Sequence, residues 1–489
     1  MDGKYWKLIR AGLFLLLTFC LLSGILKIMN YKDMGGGGGW QRFYKLEKSA
    51  DVIFFGSSHA HCTIDHGLLW DEYGIAGYTL SAGDQKIDST SYFVKEALRT
   101  HSPRVIAVEM LGMTDAELVN SSTDVYRNSL GMRWSSCFGK YIGYMADNMN
   151  IGREERQQVF FKLPVVHSRY GELTRSDFED TIPFMMGYRG SYERVSFDRP
   201  EYSDPEAAGS LDPQRLSMLR EILDTAKERG VYVVLFASPY VVPEETWMQF
   251  NALEEFARQE GVPFLNYNKL YDELSIDFEK DFRDTGHVNN YGAAKVTEHL
   301  ARFLEDNYEL PDRRGCAGYE LWEDNALYLR NKELGHDLEE AQDINEYLAV
   351  VSAMEEEQLV LLALTGNYNA QGEVYLDRLM ELGITREEYA AGGLFLFRGG
   401  QRVLYLPGRE YSHCIDTDFG ELHMESTVRI MEGEEKDQVY LLADGKDYAM
   451  VENGVNVIVY NEALGQLIDA AGVDVYLGLE MTHCEKREE

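Results

Sequence analysis

Residues able to share a proton relay stand at two distant places in this chain. Ser58 follows an apolar run in Ala50-Asp-Val-Ile-Phe-Phe-Gly-Ser-Ser-His-Ala-His-Cys62, and Asp284-Thr-Gly-His287 lies far downstream. A serine hydroxyl is a weak nucleophile until a neighbouring base takes its proton. An imidazole does so best when a carboxylate holds its other nitrogen. An Asp three residues before a His supplies that hold within one loop. The chemistry open to such a set is acyl transfer through a covalent serine ester, to water or to another hydroxyl.

Other polar residues near these two stretches have two readings each. His59 and His61 flank the serine and, with His287, could give a second imidazole or a metal group. No fourth ligand stands at a usable spacing, so the expectation is no metal and no cofactor. Glu109 ends the apolar run 105–108 and either lines the site or serves as a cap or ion-pair partner. His167 and Arg169 either position an anionic substrate or pair with an acid. Asn289 either braces His287 or caps a helix starting at Asn290. The acidic run Glu355-Glu-Glu357 reads as a solvated face.

These groups can meet only if the elements around them bring two loops together. Runs at 52–55, 78–80, 105–108, 232–236 and 263–265 read as strands. Between them lie helical patterns at 68–73, 89–100, 213–229, 244–259 and 290–307, with Gly230 as a C-cap. This alternation predicts an α/β domain over residues 51–310, a parallel sheet flanked by helices in a three-layer sandwich. Ser58 then stands at the C-terminal edge of the first strand, where open α/β sheets bind ligands. Residues 121–212 break the rhythm and read as an insertion over the site, a lid or partner surface. A helical linker at 311–344 leads to a second, smaller α/β domain at 345–489. That domain is richer in strands, with runs at 359–364, 394–397, 403–406, 439–442, 456–460 and 473–476.

At the N-terminus, Lys4, Lys7 and Arg10 precede residues 11–26, which carry no charge, and Lys27 follows. As a helix that run rises roughly 24 Å, short of a hydrocarbon core of about 30 Å, but Arg10 and Lys27 can snorkel. A cleaved signal peptide lacks an Ala-x-Ala-like site, and a lipoprotein at Cys20 is opposed by bulky Phe19. An uncleaved anchor over residues 1–33, with the basic end in the cytoplasm, is the favoured reading and the signal peptide the second. The main domains are then extracytoplasmic, beyond a Gly-rich tether at 34–50.

The net charge of −35 argues against nucleic acid, whose phosphates require clustered Lys and Arg. The six scattered cysteines give no metal spacing and no legible disulfide framework.

The placement of the two blocks, one after the first strand and one before the last helix, resembles the SGNH/GDSL hydrolase superfamily. Gly56-Ser57-Ser58 stands in for that family's Gly-Asp-Ser, with Ser57 replacing the Asp. Gly-Ser-Ser-His, together with Asp284-Thr-Gly-His287-Val-Asn289-Asn-Tyr-Gly292, resembles a membrane-anchored branch. That branch includes the D-alanyl-transfer protein of teichoic acid modification and the alginate O-acetylation proteins. The resemblance implies Ser58 as nucleophile, His287 as base and then acid, and Asp284 as the orienting carboxylate. It implies an oxyanion hole from the N–H groups of Ser58 and Gly83. The family's third donor, an Asn after the strand 105–108, is absent, because Glu109-Met-Leu-Gly112 stands there. It further implies a polysaccharide or acyl-ester substrate, and a membrane-bound O-acyltransferase as partner. A fainter likeness joins Tyr448-Ala-Met-Val-Glu-Asn-Gly454-Val-Asn-Val-Ile-Val-Tyr460-Asn-Glu to the interleukin-like EMT inducer domain, a module tied to carbohydrate binding or glycan processing.

Overall fold

The computed structural model describes residues 3–30, 37–114, 128–148, 152–173, 175–178, 185–354, 358–373, 375–431, 434–443, 445–477 and 481–484. The chain packs as two units, Met1–Ala326 and Leu327–Glu489.

In the first unit, β1 (Val52–Gly56), β2 (Gly77–Ser81), β3 (Val105–Glu109), β4 (Tyr232–Ala237) and β5 (Phe264–Asn266) form one parallel sheet, in the order β2-β1-β3-β4-β5. β1 and β3 are buried along their whole length, which is why they read as unbroken apolar runs. Their side chains divide with the strand period of two. Val52, Phe54, Val105 and Ala107 pack against Leu300 and Leu304 of the helix Asn290–Asn307. Ile53, Phe55, Ile106 and Val108 face the other way, onto Phe93 and Val94 of Ile87–Thr100 and Ile222 of Pro213–Glu228. Helices thus cover both faces of the sheet. The strand order reverses direction at β1, so a crevice opens beyond the C-terminal ends of β1 and β3. Ser58 sits there.

The edge strand β2 is covered by the helix Gly37–Phe43, whose Trp40 and Phe43 are buried with Tyr78. The Tyr78 hydroxyl donates to the Gly39 carbonyl at 2.7 Å. Burial of those two aromatics draws Gly37–Phe43, expected within a loose tether, into a helix, while Gly35 and Gly36 lie outside the described residues. Within the expected insertion, 121–127, 149–151, 174 and 179–184 lie outside them too. Its last part runs beside the loop that carries Asp284 and His287: Val195 donates N–H to Phe282 O at 2.9 Å, and Asn290 donates to Ser191 O at 2.9 Å.

The N-terminal helix spans Gly3–Met29, longer than the uncharged run because Lys7, Arg10 and Lys27 extend it at both ends. It rises roughly 40 Å. Among the described residues it is the one helix long and apolar enough to cross a membrane, a property shared by anchors and signal sequences.

The second unit is antiparallel. A six-stranded sheet runs β15-β14-β13-β6-β7-β8, and a four-stranded sheet β12-β11-β10-β9. Here β6 is Gln358–Thr365, β7 Gly393–Arg398, β8 Gln401–Pro407, β9 Tyr411–Thr417, β10 Gly420–Met431, β11 Glu434–Ala443 and β12 Lys446–Asp447. Then follow β13 Gly454–Asn461, β14 Gln466–Asp474 and β15 Thr482–His483. One face of the larger sheet packs on Ile344, Tyr347 and Leu348, and the other on Leu422, Met424 and Leu441 of the smaller sheet. β13 carries the phrase likened to the EMT inducer domain and is buried throughout. The acidic run Glu355-Glu-Glu357 lies outside the described residues.

Candidate active site

The turn after β1 is built from its smallest residues outward. Gly56 has φ of 150°, and a Cβ there would stand 2.5 Å from the Cβ of Glu109. Only glycine lets the chain pass this close to the end of β3. Ser57 then caps the short helix Ser58–Thr63, its Oγ accepting the His59 N–H at 3.3 Å. Ser58, the first residue of that helix, keeps an N–H with no intrahelical acceptor.

The second loop is held narrow. Arg283 N–H donates to His287 O at 3.1 Å, Asn289 N–H donates to Asp281 O at 2.9 Å, and Phe282 bridges Val288. Asn289, fully buried, accepts from the N–H groups of Tyr291 and Gly292, and its amide donates to the carbonyls of Lys280 and Glu193. It caps the helix Asn290–Asn307 and locks the loop ahead of it.

The two loops meet. His287 Nε2 lies 2.7 Å from Ser58 Oγ, and His287 Nδ1 lies 2.9 and 3.0 Å from the two carboxylate oxygens of Asp284. With Nδ1–H donated to Asp284, Nε2 is free to accept the serine proton. Burial opposes the charge on Asp284, but the His287 imidazole, the Gly286 N–H at 2.8 Å and Arg283 hold its carboxyl below the usual range. The carboxylate therefore stays ionised, as an orienting group must.

No family model and no curated protein matches the chain. It is similar in structure to two solved proteins of the acylhydrolase and lipase kind. One is assigned as an acylhydrolase, from Bacteroides fragilis NCTC 9343, at 12% identity and TM-score 0.27, covering 54% of this chain and 93% of that one. The other is a GDSL-like lipase from Bacteroides thetaiotaomicron VPI-5482, at 10% identity and TM-score 0.28, covering 56% and 100%. Scores this low transfer no residue roles; those rest on the distances above.

Gly83 stands exposed in the turn after β2, whose Ser81 is paired with Gly56. The turn after β3 offers no third oxyanion donor from its first residues. Glu109 is 2% exposed and turns back under the nucleophile loop. Its Oε2 accepts from Ser57 Oγ at 2.9 Å and from Ser57 N–H at 3.4 Å, and its Oε1 accepts from Leu111 N–H at 2.7 Å. The Met110 N–H is spent on Phe236 O. Burial pushes the Glu109 carboxyl up to about 7 against the pull of those bonds.

His59 is buried beside the relay, its ring 5.2 Å from that of His287 and 4.7 Å from that of Tyr240. Burial and then the His287 imidazole lower it to about 3, so it is neutral, and its Nδ1 is buried without a partner. His61 bonds Ser81 Oγ at 2.9 Å, and burial lowers it well below the ordinary value too.

His167 and Arg169 stand in a different neighbourhood from the relay. His167 bonds the Pro164 carbonyl at 2.6 Å, and Arg169 pairs with Asp177 at 3.0 Å while donating to Met29 O and Asn30 O. Those carbonyls end the N-terminal helix and lack intrahelical donors, which is what draws the guanidinium there. Sequence reasoning missed Ser57, Tyr240 and Arg283. Ser57 alone carried a signal, as the one departure in the Gly-x-Ser block. Away from this site, Cys414, Glu421 and His423 on β9 and β10 bring ligating atoms within 4.8 Å of one another, the single such group among the described residues.

Proposed function

We propose that the chain is a membrane-anchored, extracytoplasmic serine acyl-transfer enzyme acting on O-acyl groups of a cell-envelope or extracellular polysaccharide. The observation that carries this is the Ser58–His287–Asp284 relay, with contacts of 2.7 and 2.9 Å at the carboxyl edge of a parallel sheet. His287 takes the Ser58 proton as Oγ attacks an acyl carbonyl, then returns it to the departing group. In the second half it takes the proton of a sugar hydroxyl as that oxygen attacks the acyl-serine, then passes it to Ser58 Oγ as the serine ester bond breaks. A membrane-bound O-acyltransferase supplies the acyl group on this reading. The alternative, a carbohydrate esterase, differs only in the acceptor, which is water. A non-catalytic glycan-binding role is the third reading, favoured by the absent Asn after β3.

A serine-reactive fluorophosphonate separates enzyme from binding module. Labelling of the intact chain that disappears in Ser58→Ala is the expected result. No labelling of well-folded protein overturns the proposal.

A further inference from the structure

The helices Ser136–Asn148 and Arg153–Phe161 and the turn His167–Gly171 lie in the part of the chain that sequence reading treats as a cover over the site. Ser136–Asn148 packs on Ile87–Thr100 and Arg153–Phe161 on Ser136–Asn148, while Leu163–Val166, His167–Gly171 and Arg175–Phe178 lie against the N-terminal helix. Leu26 and Met29 pack with Leu130, Val166 and Leu173, and Arg169 closes the last carbonyls of that helix. Further back along the helix, the Phe19 ring lies 6.1 Å from that of Trp134.

Depth follows from helix rise. From Lys7 to Lys27 the helix climbs roughly 30 Å, the thickness of a hydrocarbon core. Phe19 then lies about 12 Å below the level of Lys27. Drawing the boundary at Phe19 leaves a span far too short to cross, so a bilayer that accepts this helix also reaches the level of Trp134.

This part of the chain carries open aromatic rings. Trp134, Phe160, Phe161, Tyr170 and Phe178 are 40%, 41%, 59%, 77% and 64% exposed. Trp134 Nε1 donates to Phe160 O at 2.8 Å, and the rings of Phe160 and Phe161 are 5.5 Å apart, so three of the five form one patch. Arg153 and Arg156 line an open cleft with Phe160 and Phe161. Rings at that depth stand among the acyl chains of the outer leaflet, and arginine side chains beside them can snorkel towards lipid phosphates.

We propose that this patch is a monotopic seat, dipping into the outer leaflet beside the N-terminal helix and fixing the catalytic unit to the membrane surface. The proposal rests on the anchor reading above.

The test uses native tryptophans in the full chain, reconstituted in phosphatidylcholine nanodiscs with acyl-brominated lipid as quencher. Trp40, Trp70 and Trp322 are 1% exposed and out of reach of lipid. The emission lost on Trp134→Phe reports the seat, and the emission lost on Trp6→Phe reports the anchor. A Tyr170→Trp change on the Trp134→Phe background gives a second reporter beside the end of the N-terminal helix, where Arg169 meets Met29 O and Asn30 O. The expected result is at least twofold quenching of the Trp134 component by lipid brominated deep in the acyl chain and of the Tyr170→Trp component by shallow-brominated lipid, with little effect of aqueous iodide. Quenching by iodide and not by lipid, with Trp6 still reached by lipid, overturns the seat and leaves the patch as a protein-docking surface. Loss of lipid quenching at Trp6 as well overturns the anchor itself.

Discussion

Glu109 gives the sharpest energetic test of the site. Its carboxyl is buried, and its ordinary value of 4.5 is raised to about 7, chiefly by loss of solvent. A raised folded-state value means that the native protein holds this proton more tightly than the unfolded chain does. The stabilisation is therefore complete below about pH 4.5 and is lost as pH rises to about 7. At about 1.4 kcal/mol per unit, the whole window is worth about 3 kcal/mol, and the part between pH 5 and 8 about 2 to 3 kcal/mol. Glu109→Gln removes the titration while keeping most contacts. Its carbonyl accepts from Leu111 N–H and its amide donates to Ser57 Oγ, while the Ser57 hydroxyl must turn to another acceptor and the long 3.4 Å bond from Ser57 N–H is lost. The variant should be equal to or slightly less stable than the parent at pH 5, and more stable by about 2 kcal/mol at pH 8. Paired denaturant titrations of the two proteins at each pH cancel every other titrating group. A stability difference that stays constant within about 0.5 kcal/mol across that range would mean that Glu109 is charged throughout, and the buried-acid argument would be wrong.

Asp284→Asn removes the charge that sets the His287 tautomer while leaving the loop's backbone contacts in place. Formation of the acyl-serine should slow by about 10²–10⁴, read by stopped-flow with an activated ester. A loss below threefold would show that the carboxylate does not orient the base. Asn289→Ala strips two caps and leaves two carbonyls without donors, so the protein should lose about 2 to 3 kcal/mol in denaturant unfolding. Its effect on rate should appear as a faster-exchanging catalytic loop by hydrogen exchange, and an unchanged loop would separate capping from positioning.

Much of the first unit was legible in the sequence because its strands are short, its central ones fully buried, and amphipathic helices separate them. Val52–Gly56 and Val105–Glu109 have no solvent face, so they show as plain apolar runs, and the turn residues after them stand out. What escaped depends on contacts between distant segments. Nothing local to Arg169 says that its guanidinium ends a helix 140 residues away. Glu109 reads equally as a site-lining acid and as a cap or ion-pair partner until Ser57 is placed above it. In the second unit, β9 alternates exposed and half-buried residues and β10 buries only Leu422 and Met424 among its described apolar side chains between polar and charged ones, so the period-two pattern of both strands is weak in sequence. The glycines at Gly37–Gly39 look like a linker until Trp40 and Phe43 are seen buried on β2.

The lack of a third oxyanion donor does not by itself choose between transfer and hydrolysis. On the proposed reading both fates of an acyl-serine pass through a tetrahedral oxyanion at the Ser58 and Gly83 N–H groups that the resemblance implies, so a missing donor slows each by the same factor, about 10²–10³. The choice falls to the acceptor. A sugar hydroxyl held against His287 gains an effective concentration of up to ~10⁵ M, which bulk water cannot match, whereas an unbound sugar gains nothing. Two slow rates and one large positioning term predict an acyl-serine that persists without acceptor and discharges when a fitting oligosaccharide is added. The measurement is intact-protein mass spectrometry of the acylated chain after rapid removal of excess ester, with and without candidate envelope oligosaccharides. An adduct that decays within seconds in buffer, at a rate no oligosaccharide changes, identifies water as the acceptor and makes the protein an esterase.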